Sequence, residues 1–522
     1  MSNSDNIESR KFDFLGGSVK KSVLLINIVL ALFYFIILTF FFEHGNMILF
    51  TLLILGEVFH LWQIIGYCYT VWNTKHVATF DNNFSQGVDV FITVAGEPVE
   101  IVEETARAAM AMDYPNFKIH ILNDGYVAKR DNWKDIITLA KELGINSITR
   151  KTPGGAKAGN INNGLRQTSN PYFVVFDADH VPKPEFLREV MGYFVDRRMG
   201  FVQTPQFYHN QGTNTVTQTA WDQQSLFFGP IMSGKNRLGS AFMCGTNMAV
   251  SRAAVLQVGG MIETNIAEDF LTSLLIHKKG WKSLYVPKVL AEGLAPEDFL
   301  SYYKQQYRWT RGSLEVIFKY NPIFARGLSF SQRMQYLISA GYYLTGVVVL
   351  IDALLPIVFL FTGVAAVQTS SMLLAMIFIP YIFLNLAILQ MTSNYAYTFN
   401  AISYSISSFY LQLRALMGVL LNQKTSFVVT SKTAIEGNFI KLVIPHLIYI
   451  GLGAIGITVA LLRDGLNAAF VANLAWVLVN IAAFIPFIVS ALPSGKLKLG
   501  LGKFIALGSV KLNSQQSQGG DA

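Results

Sequence analysis

Tyr172-Phe173-Val174-Val175-Phe176-Asp177-Ala178-Asp179-His180-Val181-Pro182 sets the frame for the rest of the chain. Its first half is a short β-rich apolar run, the pattern of a strand. Its second half carries two carboxylates separated by one residue, and because side chains alternate with period two along a strand, both point the same way from its end. Working outward, Val88–Val94, Phe117–Asn123 and 200–203 read as further strands, and the stretches 99–112, 132–143 and 184–194 fill the gaps with helix-compatible sequence. This βαβα order predicts a doubly wound α/β sheet, in which ligands gather at the carboxyl ends of the strands. Asp124, Asp177 and Asp179 all fall at those ends.

The strand-rich region is bracketed by apolar sequence. Residues 22–42, 372–392 and 466–490 contain no Asp, Glu, Lys, Arg or His, and 47–72, 337–363 and 442–462 carry one or two ionisable residues each. Each stretch exceeds the roughly 20 residues needed to cross a bilayer. With 52% hydrophobic and 14% charged residues in 522, the chain reads as a membrane protein. The expected division is residues 1–76 with two spans, a globular domain over 77–320, an interfacial helix over 321–336, two spans over 337–392, an amphipathic interfacial segment and loop over 393–436, two spans over 437–491, and a partly disordered tail over 492–522. Arg10, Lys11, Lys20 and Lys21 precede the first span, Lys75 follows the second, Arg414, Lys424, Lys432 and Lys441 follow the fourth, and Lys496, Lys498 and Lys503 follow the sixth. Basic residues stay on the cytoplasmic side, so the globular domain and both termini are expected there, in a multi-pass cell-membrane protein. The net charge of +8 is absorbed by this topology and by lipid-facing charge, and no nucleic-acid surface is implied. The first apolar run is too long for a signal peptide and reads as an uncleaved anchor. Two cysteines, Cys68 and Cys244, suit neither a disulfide framework nor a metal site.

Several groups of residues carry chemistry. Asp177 and Asp179 can together hold a hard divalent cation such as Mg2+ or Mn2+, which would neutralise a diphosphate; an exposed strand-end turn is the plain alternative. Asp124 is followed by Gly125, which lets a ligand approach the backbone, although Asp-Gly is also an ordinary turn. Glu268 and Asp269 form an acidic pair that could serve as a general base or simply favour a helix amino end. Gln305, Arg308 and Trp309 combine a planar fork suited to phosphate oxygens with a flat face on which a pyranose can stack, but Arg and Trp are also frequent membrane-interface anchors. Within the spans, Glu57, His60 and Gln63 fall on one helical face and could line a channel, with Asp352 and His446 as weaker candidates; satisfied interhelical hydrogen bonds are as good a reading.

Taken in order, Asn123-Asp124-Gly125, Asp177-Ala178-Asp179, Ala267-Glu268-Asp269 and Gln305-Gln306-Tyr307-Arg308-Trp309 resemble the D, DxD, TED and QxxRW set of processive family 2 glycosyltransferases, nearest to the cellulose synthase catalytic subunit. The resemblance implies a GT-A nucleotide-sugar-binding domain on the cytoplasmic face, inserted in an α-helical membrane domain of about six spans. Its implied donor is UDP-glucose and its acceptor a growing β-glucan, β-1,4-linked and conducted across the lipid bilayer. Asp124 would contact the nucleotide base, Asp177 and Asp179 the metal, Asp269 would be the base beside Glu268, Arg308 would stabilise the diphosphate, and Gln305 and Trp309 would seat the acceptor. Residues 154–160 resemble H-x-K-A-G-N with Gly155 in place of His, which makes Lys157 and Asn160 donor-site candidates. Phe242-Met243-Cys244-Gly245-Thr246 resembles an acceptor-side segment, bringing in Cys244 and Gly245, and Ala291-Glu292-Gly293 adds support. Phe427-Val428-Val429-Thr430-Ser431-Lys432 resembles the gating loop over the donor pocket, with Phe427 and Thr430 as contacts. Asn123 and Ala267 depart from the common Asp and Thr. No R-x-x-x-R motif follows residue 490, so a cyclic-di-GMP-binding PilZ module is not expected. A β-1,3 or mixed-linkage product, a UDP-N-acetylglucosamine-using chitin- or hyaluronan-type synthase, and a non-processive lipid-carrier transferase remain open alternatives. A transporter is disfavoured by the lack of a P-loop. Accessory or export subunits, or a homo-oligomer, are compatible with this reading.

Overall fold

Val88, Val90, Ile92 and Val94 enter one apolar core while Phe91, between them, enters another. A strand that buries both faces belongs to a sheet covered on both sides, and all seven residues of Val88–Val94 are buried. The computed structural model describes residues 7–11, 16–369, 371–423, 435 and 437–493. Its central sheet has seven strands: β1 (Val88–Val94), β2 (Phe117–Asn123), β3 (Asn146–Thr149), β4 (Tyr172–Asp177), β5 (Met199–Gln203), β6 (Met248–Ser251) and β7 (Lys282–Tyr285). They lie in the order β7-β5-β6-β4-β1-β2-β3. All run parallel except β6, which is antiparallel to both β4 and β5. The sheet is therefore mixed, and β3, β6 and β7 are four-residue strands too short to stand out from apolar sequence.

Register decides where the chemistry sits. Thr93 pairs with Asp177, Val94 with Asn123, and Asn123 with Thr149. The carboxyl ends of β1 to β4 are thereby level, so the residues next in sequence, Asp124 and Arg150, become neighbours. A small three-stranded sheet, with Ala291–Gly293 in the middle between Phe207–Tyr208 and Val181–Pro182, lies at the same end. The covering helices are close to the expected ranges: Val99–Met110, Trp133–Glu142, and Phe186–Met191 continued by a 3-10 turn over Gly192–Val195.

Among the described residues six helices are long and apolar enough to cross a membrane: Lys21–Phe40, Met47–Val71, Phe330–Thr362, Met372–Thr392, Ile444–Asp464 and Ala468–Ser490. The third starts earlier than the sequence suggests. It is not one continuous α-helix: Phe330–Gly341 is a helix of its own, overlapping the interfacial helix expected over 321–336, and a 3-10 turn over Tyr342–Leu344 separates it from Thr345–Thr362. Asn321 adopts a left-handed φ of 38° that ends the preceding helical turn, residues 321–329 form turns, and Ser329 then opens the span through a reciprocal capping box with Gln332. The segment after the fourth span is two helices, Phe399–Ser407 and Phe409–Leu420. The first is packed against the last span, Tyr404 donating to Ser490 at 2.5 Å.

The globular domain meets the apolar helices at the β7 edge. Gly234 lies so close to Met47–Val71 that a Cβ there would fall 2.1 Å from the Thr70 carbonyl oxygen. Next to it the Lys235 ammonium donates to the Gln335 side chain at 2.8 Å, and burial pulls its pKa down to about 7. His277 bridges Tyr336 (2.8 Å) and Ser283 of β7 (2.9 Å), and burial holds it at about 3, as neutral imidazole. Inside the spans, His60 stands between Glu57 (3.7 Å) and Asp352 (3.6 Å), whereas His446 bonds the Ser407 carbonyl at 2.8 Å.

Candidate active site

Asp124 begins the loop after β2 and Arg150 the loop after β3. The guanidinium grips the carboxylate as a fork, Nε to Oδ1 at 2.8 Å and Nη2 to Oδ2 at 2.5 Å. Nη2 also donates to the Ala156 carbonyl at 3.0 Å, and Nη1 donates to that of Gly154. Burial pushes the Asp124 carboxyl up, against the opposing pull of Arg150. Asn123 accepts from the Gly125 N–H at 2.9 Å and donates its amide to the Trp133 carbonyl at 2.8 Å. A carboxylate cannot make the second bond, which accounts for Asn where Asp is common. Gly155 has φ of 63°, and a Cβ there would lie 2.3 Å from Glu263 Oε2. Glu263, held by Asn162 at 2.8 Å, thus occupies the space a histidine at 155 would need.

Asp177 ends β4, and Asp179 and His180 follow in a turn. Each of the three offers a ligand atom within 4.8 Å of the others. His180 Nδ1 lies 3.4 Å from Asp179 Oδ1, and its Nε2 is buried with no hydrogen-bond partner. Two carboxylates and an imidazole fit a divalent cation of the Mg2+ or Mn2+ kind. Gly293 makes room for this imidazole: a Cβ there would fall 2.5 Å from His180 Nε2. This contact is the physical reason for glycine at the end of Ala291-Glu292-Gly293.

Lys157, in the first turn of Ala156–Gln167, ties the strand end to the opposite wall. Its ammonium bonds Asp177 and donates to the Gly245 carbonyl at 2.7 Å. Gly245 has φ of 86°, and a Cβ there would lie 3.1 Å from Asp269 Oδ2. Asp269 sits in the first turn of Glu268–Lys278, where its carboxylate accepts from the Phe270 N–H at 2.7 Å. Ser273 links this helix to the 242–246 segment, donating to the Asp269 carbonyl at 2.8 Å and accepting from the Met243 N–H at 2.8 Å. Burial pushes both the Glu268 and Asp269 carboxyls above the usual carboxylate range. Ala267 stands where Thr is usual because the helix behind it packs tightly: a Cβ on Gly312 would fall 2.4 Å from the Ala267 Cβ.

That helix, Phe299–Glu315, is started by Asp298, whose carboxylate accepts from the Ser301 N–H at 2.9 Å. Gln305, Arg308 and Trp309 are spaced i, i+3, i+4 and share its inward face. Burial draws the Arg308 pKa down, while Glu268, Asp177 and Asp269 nearby favour its charge.

These groups line one cavity of about 380 Å³, which contains Asp124, Lys157, Asn160, Asp177, Asp179, Cys244, Gly245, Glu268, Asp269, Gln305, Arg308 and Trp309. Phe427 and Thr430 lie outside the described residues. Asn160 is present but partly committed, one N–H of its amide donating to the Leu122 carbonyl at 2.8 Å while Oδ1 has no partner.

The family model described as glycosyltransferase-like family 2 matches residues 86–312, and the one described as cellulose synthase matches residues 256–463. The chain is thus similar to family 2 glycosyltransferases over its middle and to cellulose synthases over the segment that overlaps and follows it. The chain is 28% identical over 438 residues to the cellulose synthase catalytic subunit [UDP-forming] of Pseudomonas fluorescens, covering 80% of this chain and 58% of that one. It is 34% identical over 295 residues to the like-named subunit of Xanthomonas axonopodis pv. citri, covering 54% of this chain and 40% of that one. It thus spans less than two thirds of the length of these relatives. Its fold is shared with a mannosyltransferase from Pyrobaculum calidifontis solved in complex with GDP-Man and Mn2+, at TM-score 0.52 and 14% identity, covering 72% of this chain and 100% of that one.

Among the cavity residues without a local sequence signal are Arg150, His180 and Tyr208. Only the β2–β3 register brings Arg150 to Asp124. Tyr208, whose hydroxyl burial pushes up and which bonds Gln305, is placed by the small three-stranded sheet.

Proposed function

We propose that the chain is a glycosyltransferase that moves a hexosyl group from UDP-glucose to the end of a growing β-glucan, with β-1,4 linkage, and that the spans conduct the product across the bilayer. The reading is carried by one observation: the Gln305, Arg308 and Trp309 face opens into the same cavity as the buried Asp269 and the Asp177, Asp179 and His180 cluster. In this reading Asp124 and Arg150 receive the nucleoside. Asp177, Asp179 and His180 would hold a divalent cation, which supplies charge neutralisation for the diphosphate leaving group. Asp269 takes the proton of the acceptor hydroxyl as the new carbon–oxygen bond forms and the bond from the anomeric carbon to phosphate breaks, releasing UDP. Lys157 keeps Asp177 and the Gly245 backbone in register, and Arg308 balances the carboxylates around it. Trp309 offers the terminal sugar a stacking face that holds it in line with the donor carbon. Accessory export subunits, or further copies of the chain, are the expected partners.

Incorporation of radiolabelled UDP-glucose and of UDP-N-acetylglucosamine by the purified, detergent-solubilised chain, followed by linkage analysis, tests the proposal directly. Polymer from UDP-glucose with β-1,4 linkage is expected. Polymer from the N-acetylated donor alone would reassign the sugar, and single transfer to a lipid would overturn processivity. The Trp309→Ala protein is expected to bind UDP and make no long product.

A further inference from the structure

Beside the catalytic cavity an open concavity lies where β2 leads into Trp133–Glu142. Tyr126 and Trp133 form its aromatic wall, with ring centroids 5.3 Å apart and planes at 80°. Lys129, Arg130, Lys134 and Lys151 surround them, and Asp131 is the one acid in the lining. All four cations are exposed, and none pairs with a carboxylate among the described residues. The arrangement is held in place rather than loosely spread. Lys129 takes a left-handed φ of 54° that turns the loop back on itself, and the Arg130 stem lies over Gly96, where a Cβ would fall 2.3 Å from Arg130 Cγ. The Lys134 ammonium is 5.6 Å from the Trp133 ring centroid.

A membrane role does not account for this basic patch. The spans pack on the β7 edge, through Thr70 against Gly234 and Tyr336 against His277, whereas the concavity belongs to the β3 edge at the other end of the strand order. Its continuity runs inward instead: Val127 lines both the concavity and the catalytic cavity. Unpaired cations arranged around flat apolar rings suit a ligand with phosphate oxygens and a planar base.

We propose that this concavity is an outer binding site for a nucleoside diphosphate, contiguous with the catalytic cavity. The inference rests on the nucleotide-donor reading. The same ligand chemistry has two sources, the donor or its UDP product in transit and a separate regulatory nucleotide. In the first case the patch acts as a funnel, raising the rate at which the anionic donor reaches the inner site.

The test uses the full chain in detergent, comparing wild type with Lys129→Glu/Lys134→Glu/Lys151→Glu and with the milder Gln triple variant. UDP binding is titrated, and donor kinetics are measured across ionic strength. The wild type is expected to show a second, weaker class of UDP site that the Glu variant lacks. Donor kcat/KM should fall on the order of 10-fold at low salt in that variant, with kcat at saturation unchanged, and the gap should close as salt screens exposed charge. The Gln variant should fall between. If added GDP instead changes wild-type kcat, and the Glu variant loses that response, the site is occupied by a separate nucleotide. Equal UDP stoichiometry and equal low-salt kcat/KM in wild type and variants would overturn the outer site alone. No UDP binding by the wild type at all would overturn the donor reading beneath it.

Discussion

Arg150 holds both carboxylate oxygens of Asp124, Nε to Oδ1 at 2.8 Å and Nη2 to Oδ2 at 2.5 Å, across two strands whose ends the sheet register makes level. The remaining N–H groups of that guanidinium brace the carbonyls of Gly154 and Ala156, so one side chain positions Asp124 and the loop leading to Lys157 together.

Arg150→Ala should therefore weaken UDP binding more than it slows transfer. Removing one partner of a buried pair strands the other, so Asp124 loses the fork that positions it for the nucleoside. Isothermal titration with UDP measures the loss of affinity. Arg150→Lys, which keeps the charge but not the fork, should recover only part of the loss. Unchanged UDP affinity in the Ala variant would remove Arg150 from the nucleoside side of the cavity.

Asp269→Asn should retain UDP binding and abolish transfer, because the proton acceptor is gone while the Asp177, Asp179 and His180 cluster is intact. The pH profile carries the same information. Burial raises the Asp269 carboxyl above its ordinary range, and the working base must be ionised. Activity is then present above the raised pKa and is lost as pH falls through it, so the acid limb of kcat/KM should lie above the ordinary aspartate value of about 3.9. An acid limb at or below that value points to another base.

Chelation with EDTA should stop transfer, and Mg2+ or Mn2+ should restore it. His180→Ala is expected to leave a folded protein that needs a higher metal concentration for half-maximal activity, by roughly 10-fold or more, because one of three converging ligand atoms is removed. Full turnover in chelator would argue against a divalent ion at this cluster.

Gly245→Ala tests the wall shared by base and donor site. At φ of 86° a side chain is strained, by about 1–2 kcal/mol, and the new Cβ would press to 3.1 Å from Asp269 Oδ2. A fall in kcat with little change in UDP affinity, and a modest loss of thermal stability from the strain, is expected. Wild-type kcat would show that Asp269 does not need this approach to be bare.

Much of this was written in local pattern. Apolar length disclosed the six spans, β-rich runs gave the four strands first recognised, and the order of four short motifs pointed to the family, since each of these signals is complete within a few consecutive residues. Gln305, Arg308 and Trp309 were legible as a unit for the same reason, because helical spacing alone puts them on one face. Residues whose partners are remote were not legible. Arg150 meets Asp124 only because Asn123 pairs with Thr149, His180 is enclosed only because Gly293 has no side chain, and Gly245 comes to Asp269 through Ser273, which joins two segments 30 residues apart. The sequence by itself determined what chemistry the chain can carry and which stretches are long and apolar enough to cross a membrane. Sheet register and the close packing of glycines decided which of those groups share a cavity, since contact between distant segments is set by pairing and volume rather than by any local composition.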